Sequence, residues 1–149
     1  MKSSAMFTPL MAFLTTLAVG LSLLPTPSLR AQTVVKPRPV PPGAWTEIGT
    51  TVANYSVDHD SITVRGPFDD FRMLMFKVTE APLNMHRVLV TYDNGEPEEI
   101  QVREKIAKGG KTRVIDLRGG TRSLRRIDFW YDTRGASGER AEVTVYGKK

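Results

Sequence analysis

Residues 112–132 read TRVIDLRGGTRSLRRIDFWYD, and the spacing of their apolar side chains decides the fold class. Ile115 and Leu117 alternate before an Arg118-Gly119-Gly120-Thr121-Arg122 turn, and Ile127, Phe129 and Tyr131 alternate after it. A period of two is the signature of a strand with one face on a core. The paired glycines supply the backbone freedom of a tight turn.

The same grammar extends in both directions. Ile62 and Val64 alternate in SITVR, and Leu74, Phe76 and Val78 share one face of the next segment. Met73 and Met75 make that segment's other face apolar too, which marks a central strand. Val88, Val90 and Tyr92 lead into Asp93-Asn94-Gly95, a hairpin signal because Asn-Gly accepts positive φ. Ile100 and Val102 continue on the return strand, and Ala141, Val143 and Val145 close the series. No window carries a 3.6-residue apolar stripe, and Gly or Pro punctuates every join. About eight short strands so spaced predict an all-β fold, an antiparallel β-sandwich of jelly-roll type.

Three segments are expected along the 149 residues. Lys2, a nearly uncharged apolar run over residues 5–24, Pro25, Pro27 and Ala31 follow the layout of a secretory signal peptide over residues 1–31. Leu29 is an atypical residue three positions before the cut. The run is also about long enough to span a bilayer uncleaved, since roughly 20 residues suffice. Residues 32–43 carry Pro37, Pro39, Pro41 and Pro42 and read as an extended linker. Residues 44–149 form the domain. With no cysteine, it has neither a disulfide framework nor a lipid-modified N-terminal cysteine, and it stands on its core. Removal of Lys2 and Arg30 leaves 19 basic against 16 acidic residues. A net charge of about +3 is too small for a nucleic-acid-binding surface.

The stretches Trp45-x-x-Ile48-Gly49, Tyr92-x-x-Gly95, Gly110-x-x-x-x-Ile115-Asp116-Leu117 and Val145-Tyr146-Gly147 resemble those of small secreted bacterial β-sandwich proteins of unknown function. The resemblance implies a periplasmic or secreted location and brings no catalytic motif with it.

The residues themselves point away from catalysis. Composition removes cysteine nucleophiles, and only His59 and His86 are available as bases. Alternation turns Asp58 and Asp60 to the opposite side from His59, so both histidines are expected at the surface or strand rim. Nucleophile-elbow and phosphate-loop motifs are missing. No enzyme and no cofactor is expected.

If strands run antiparallel, successive loops alternate between two ends. One end gathers Asp69, Asp70, Asp93, Asn94 and Glu96 with Arg65, Arg118 and Arg122. Such oxygens suit Ca²⁺, in the manner of a calcium-stabilised carbohydrate-binding module, or else balance the arginines. The other end gathers Lys105, Lys108, Lys111, Arg134 and Arg140 around Gly109-Gly110, a candidate anion concavity. Trp130 points away from the core face and forms a candidate stacking platform that Tyr146, opposite in parity to Val145, is placed to join. The expected function is a non-catalytic exported binding or interaction module. Its ligand is an anionic glycan, a lipid head group or an envelope protein, and the last is reached through an apolar patch or an open sheet edge.

Overall fold

Ten strands form among residues 32–53, 58–133 and 138–149, the parts of the chain that this computed structural model describes. They are β1 (Gln32–Val35), β2 (Trp45–Val52), β3 (Asp58–Val64), β4 (Asp70–Phe71), β5 (Met73–Thr79), β6 (Leu83–Tyr92), β7 (Pro97–Ile106), β8 (Ile115–Asp116), β9 (Arg122–Asp132) and β10 (Glu142–Lys148). The first sheet runs β1-β3-β9-β6-β7, with β4 pairing the start of β9 beyond the end of β3. The second runs β2-β10-β5-β8. The fold is a β-sandwich, as the alternation requires.

The inner faces are those the period of two selects. Ile127, Phe129 and Tyr131 of β9, Val88 and Val90 of β6, Leu74, Phe76 and Val78 of β5, and Val143 and Val145 of β10 are all buried in one core. Phe76 meets Phe129 edge-on across the two sheets, with ring centroids 5.6 Å apart. The hairpin at residues 93–96 forms as expected. Gly95 takes φ +85°, and its N–H donates to the Tyr92 carbonyl at 2.9 Å.

One turn joins the two layers, and one expectation needs correction. The strands flanking Arg118-Gly119-Gly120-Thr121-Arg122 do not share a sheet, because β8 pairs with β5 while β9 is central in the other sheet. That turn, with Gly119 and Gly120 at φ +80° and +78°, is a crossover between layers. The Pro-rich segment is not a linker throughout its length. Gln32–Val35 precedes the first proline of the run, keeps every N–H, and pairs parallel with β3 from Gln32↔Ser61 to Val35↔Val64.

Two strand glycines are required by packing. A Cβ on Gly49 would stand 2.6 Å from Val35 Cγ1, the side chain that closes β1 onto β2. A Cβ on Gly147 would stand 2.4 Å from Phe71 Cδ1 and 2.8 Å from Ile48 Cδ1. Rings in a close-packed core do not yield such space freely. Gly147→Ala is therefore expected to lower stability by about 2 kcal/mol, seen as an earlier urea midpoint with unchanged slope. An unshifted midpoint would show that Phe71 can move aside.

One carboxylate lies inside the core. Asp60 is 1% exposed, and its Oδ2 accepts a hydrogen bond from the Tyr131 hydroxyl at 3.0 Å. Burial is the largest influence and raises its pKa above the ordinary 3.8, against the lowering by Tyr131. The folded state thus holds this proton more tightly than the unfolded chain. The stability so gained is present below pH 3.8 and lost as pH rises through the raised value. Relative to Asp60→Asn, the wild-type chain should lose stability between pH 3.8 and neutrality. Parallel pH–stability curves for the two proteins would refute this.

Candidate functional site

The face expected to bear Trp130 is the outer surface of the first sheet, and register decides what surrounds it. Trp130 pairs with His59 of β3 on one side and Arg87 of β6 on the other. The His59 ring stacks on the indole at 4.3 Å and 8°, and Arg87 Cζ lies 3.7 Å from the indole centroid. Since β3 and β6 flank β9, the two partners cover opposite faces of the ring. Such cation–π contacts contribute roughly 0.5–1 kcal/mol at exposed sites. Trp130 is half-buried.

Beneath the stack is a charged network. His59 Nε2 donates to Asp128 Oδ1 at 2.9 Å, and that oxygen also accepts from Arg126 Nε and Nη2 at 3.0 and 2.8 Å. On the same sheet, His86 Nε2 donates to Asp132 Oδ2 at 2.7 Å, and Asn84 Nδ2 donates to Oδ1 at 2.8 Å. Asp58 and Asp60 do not face His59 across the strand, as alternation requires, but Asp128 of the neighbouring strand does. His86 keeps its rim position, while His59 is only 9% exposed and is not the surface residue expected. An Asp–His pair acts as a relay only with a nucleophile on the other ring nitrogen. His59 Nδ1 has no hydrogen-bond partner, nor does Ser61 Oγ two residues along β3. No relay is assembled here.

Tyr146 does not join Trp130. It belongs to β10 of the second sheet, between Glu47 and Met75, on the outer surface of the opposite layer. Parity placed it outside the core without saying outside which sheet.

The loop ends are sorted as expected, but several of their charges are paired internally. At the first end Arg122 Nη2 donates to Glu96 Oε2 at 2.7 Å while its Cζ lies 3.6 Å from the Tyr92 ring centroid. The Tyr92 hydroxyl donates to the buried Glu98, which also accepts the Arg118 N–H at 3.1 Å. Lys149 takes Asp70 at 2.7 Å. The Arg122 hydrogen bond holds Glu96 below its ordinary pKa, whereas burial, then Glu98, pushes the Tyr92 phenol upward. Among the described residues no three His, Asp or Glu side chains are grouped to hold a metal ion.

At the second end the anion concavity is closed. The Gly109 N–H donates to the Val78 carbonyl and the Gly110 N–H to Ala107, both at 2.8 Å. The first straps the β7–β8 connection to β5, the second closes a turn within that connection, and both donors are spent. Lys108 lies 3.4 Å from Glu139, and Lys111 bridges to Lys77 across the second sheet's edge. Arg134 lies outside the described residues.

A different feature is open. A groove of about 630 Å³ runs between β2, from Trp45 to Thr50, and a wall made of Thr33, Val35, Lys36, Arg38 and Val40. Here the edge strand of each sheet ends its layer, β1 in the first and β2 in the second. The Ala53 N–H donates to the carbonyl of Ala141, just before β10, so alternation turns the backbone groups of Thr50 and Val52 away from β10 toward the free edge. The segment running alongside cannot pair with them continuously, because Pro37, Pro39, Pro41 and Pro42 lack N–H donors. Val34 and Val52, on the two edges, are 53% and 46% exposed. No motif marks this groove in the sequence; its only signal is dense proline beside an edge strand.

A family model described as a domain of unknown function (DUF2541) matches residues 15–147. The chain belongs to the DUF2541 family. The match takes in both packing glycines, the Trp130 network and the whole groove. No curated protein and no solved structure matches the chain.

The Trp130 network makes a spectroscopic prediction for this DUF2541 member. Asp128→Ala leaves His59 and Arg126 without their shared acceptor, which should cost about 1–3 kcal/mol. In a Trp45→Phe background, Trp130 emission should shift to longer wavelength as the stack loosens. Unchanged emission and stability together would show that Asp128 does not hold it.

Proposed function

We propose that this DUF2541 chain is an exported, non-catalytic interaction module of the bacterial cell envelope, and that what it binds is another protein. The observation that carries the reading is the open seam between β1 and β2. Walls of mixed apolar and charged side chains beside unpaired backbone groups suit an extended main chain, which gains affinity from ladder hydrogen bonds and specificity from alternate side chains. The signal-peptide layout of residues 1–31 supports export, and the Pro-rich run keeps the β2 edge from being filled by its own chain. The glycan reading is less favoured, because a sugar reaching the Trp130 ring must first displace Arg87 or His59.

The test uses a photo-crosslinking residue placed at Val52 or at Val114, which are equally exposed at 46%. Val114 precedes β8 at the far edge of the second sheet. The full-length chain, expressed in its own cells, should reach the envelope fraction with a mass corresponding to loss of residues 1–31. Crosslinked adducts should form from position 52 and not from 114. Retention in the cytoplasm, no adducts, or equal adducts from both positions would overturn the reading.

A further inference from the structure

Resting on that reading, we propose that the occupant of the seam is an extended segment of a partner protein in which acidic residues alternate with β-branched apolar ones, added as a further strand along the free edge of β2.

Three observations select that chemistry. First, β2 offers the longer edge, eight residues against four in β1, and its Thr50 and Val52 backbone groups face outward. A strand laid there pairs its backbone with these groups and divides its side chains into two rows. Second, the two rows meet different surroundings. The row directed into the groove meets Lys36 and Arg38 on the opposite wall. Neither makes a hydrogen bond or ion pair among the described residues, and with Glu47 as the one acid lining the cleft, its cations are in excess. The other row continues the outer surface beside exposed Val52 and half-buried Trp45. Glu47, at the groove's β2 wall, shares the outward parity of Trp45 and disfavours acids on that row. Acidic residues therefore fit the groove row, and valine or isoleucine fits the outer row. Third, the charge argues against a second copy as occupant. Two chains meeting through this edge bring four cations to one interface against two Glu47 carboxylates, and the excess of like charge opposes association.

The cleft has a deeper polar detail. Thr46, on its floor, is 5% exposed, and its Oγ1 has no hydrogen-bond partner. A main chain or side chain that reaches it gains a hydrogen bond the free protein does not make.

The test uses the full chain and a capped nine-residue peptide alternating glutamate and valine. One control peptide replaces glutamate by lysine, and another carries proline at the central valine, removing a ladder donor. Binding should be saturable, weaken with added salt, and protect the Thr50 and Val52 amides from hydrogen exchange. Lys36→Glu with Arg38→Glu should weaken it about tenfold or more, as should either control peptide. Both positions line an open groove, so the double variant should fold, which an unchanged urea midpoint verifies. Equal binding of the lysine peptide, protection elsewhere, or no binding would overturn the proposed occupant. So would concentration-dependent dimerisation that protects the same edge. If Val52 still yields specific adducts while the glutamate–valine peptide fails, the interaction module stands and only its occupant is wrong. Loss of both removes both.

Discussion

The edge-on contact of Phe76 with Phe129 is where the two layers hold each other. Phe129 sits in β9, the middle strand of the β1-β3-β9-β6-β7 order, and Phe76 sits midway in β5. With these rings facing inward, a strand's period of two leaves no choice for their neighbours. Asp128 and Trp130 must face outward, and Met75 and Lys77 must do so on the other layer. The backbone of Phe76 is also where the β7–β8 connection is fastened. Its N–H donates to Thr112 Oγ1 at 3.1 Å, and its carbonyl accepts the Thr112 N–H at 2.8 Å. One residue thus sets the inner face of the second sheet and covers its edge.

The opposite edge of that sheet is governed by absent side chains. Gly49 admits Val35, and Gly147 admits Phe71 and Ile48. The first contact brings β1 of one sheet against β2 of the other, and the second lets β4 lead the chain from one layer to the next. Where β1 gives way to proline, contact with β2 loosens into the groove. Closure and opening of the same seam are separated by a few residues.

The alternation of Ile127, Phe129 and Tyr131, the 93–96 hairpin and the grouping of loops into two ends were legible because each depends on local periodicity or on antiparallel succession. Cross-strand register does not. Asp128 was readable as outward-facing, but its meeting with His59 depends on how β3 slides along β9, and the same holds for Arg87 over Trp130. Tyr146 was readable as outside the core, but layer membership is a property of sheet order. Gly109 and Gly110 looked like free donors because a glycine pair in isolation exposes its N–H groups, and only the course of the β7–β8 connection along β5 reveals that Val78 and Ala107 use them. Gln32–Val35 looked like a spacer because the prolines after it dominated the local composition.

The parallel pairing of Gln32 with Ser61 bears on the order of events in the life of the chain. Processing after Ala31, as proposed, would leave Gln32 both the new N-terminus and the first residue in the ladder, with no spacer between. A peptidase grips its substrate as an extended strand, and a backbone so held cannot at the same time pair with β3. Cutting and docking would therefore exclude one another in time. The first sheet would receive its outermost strand only after release, and the groove that β1 helps to wall would take shape with it.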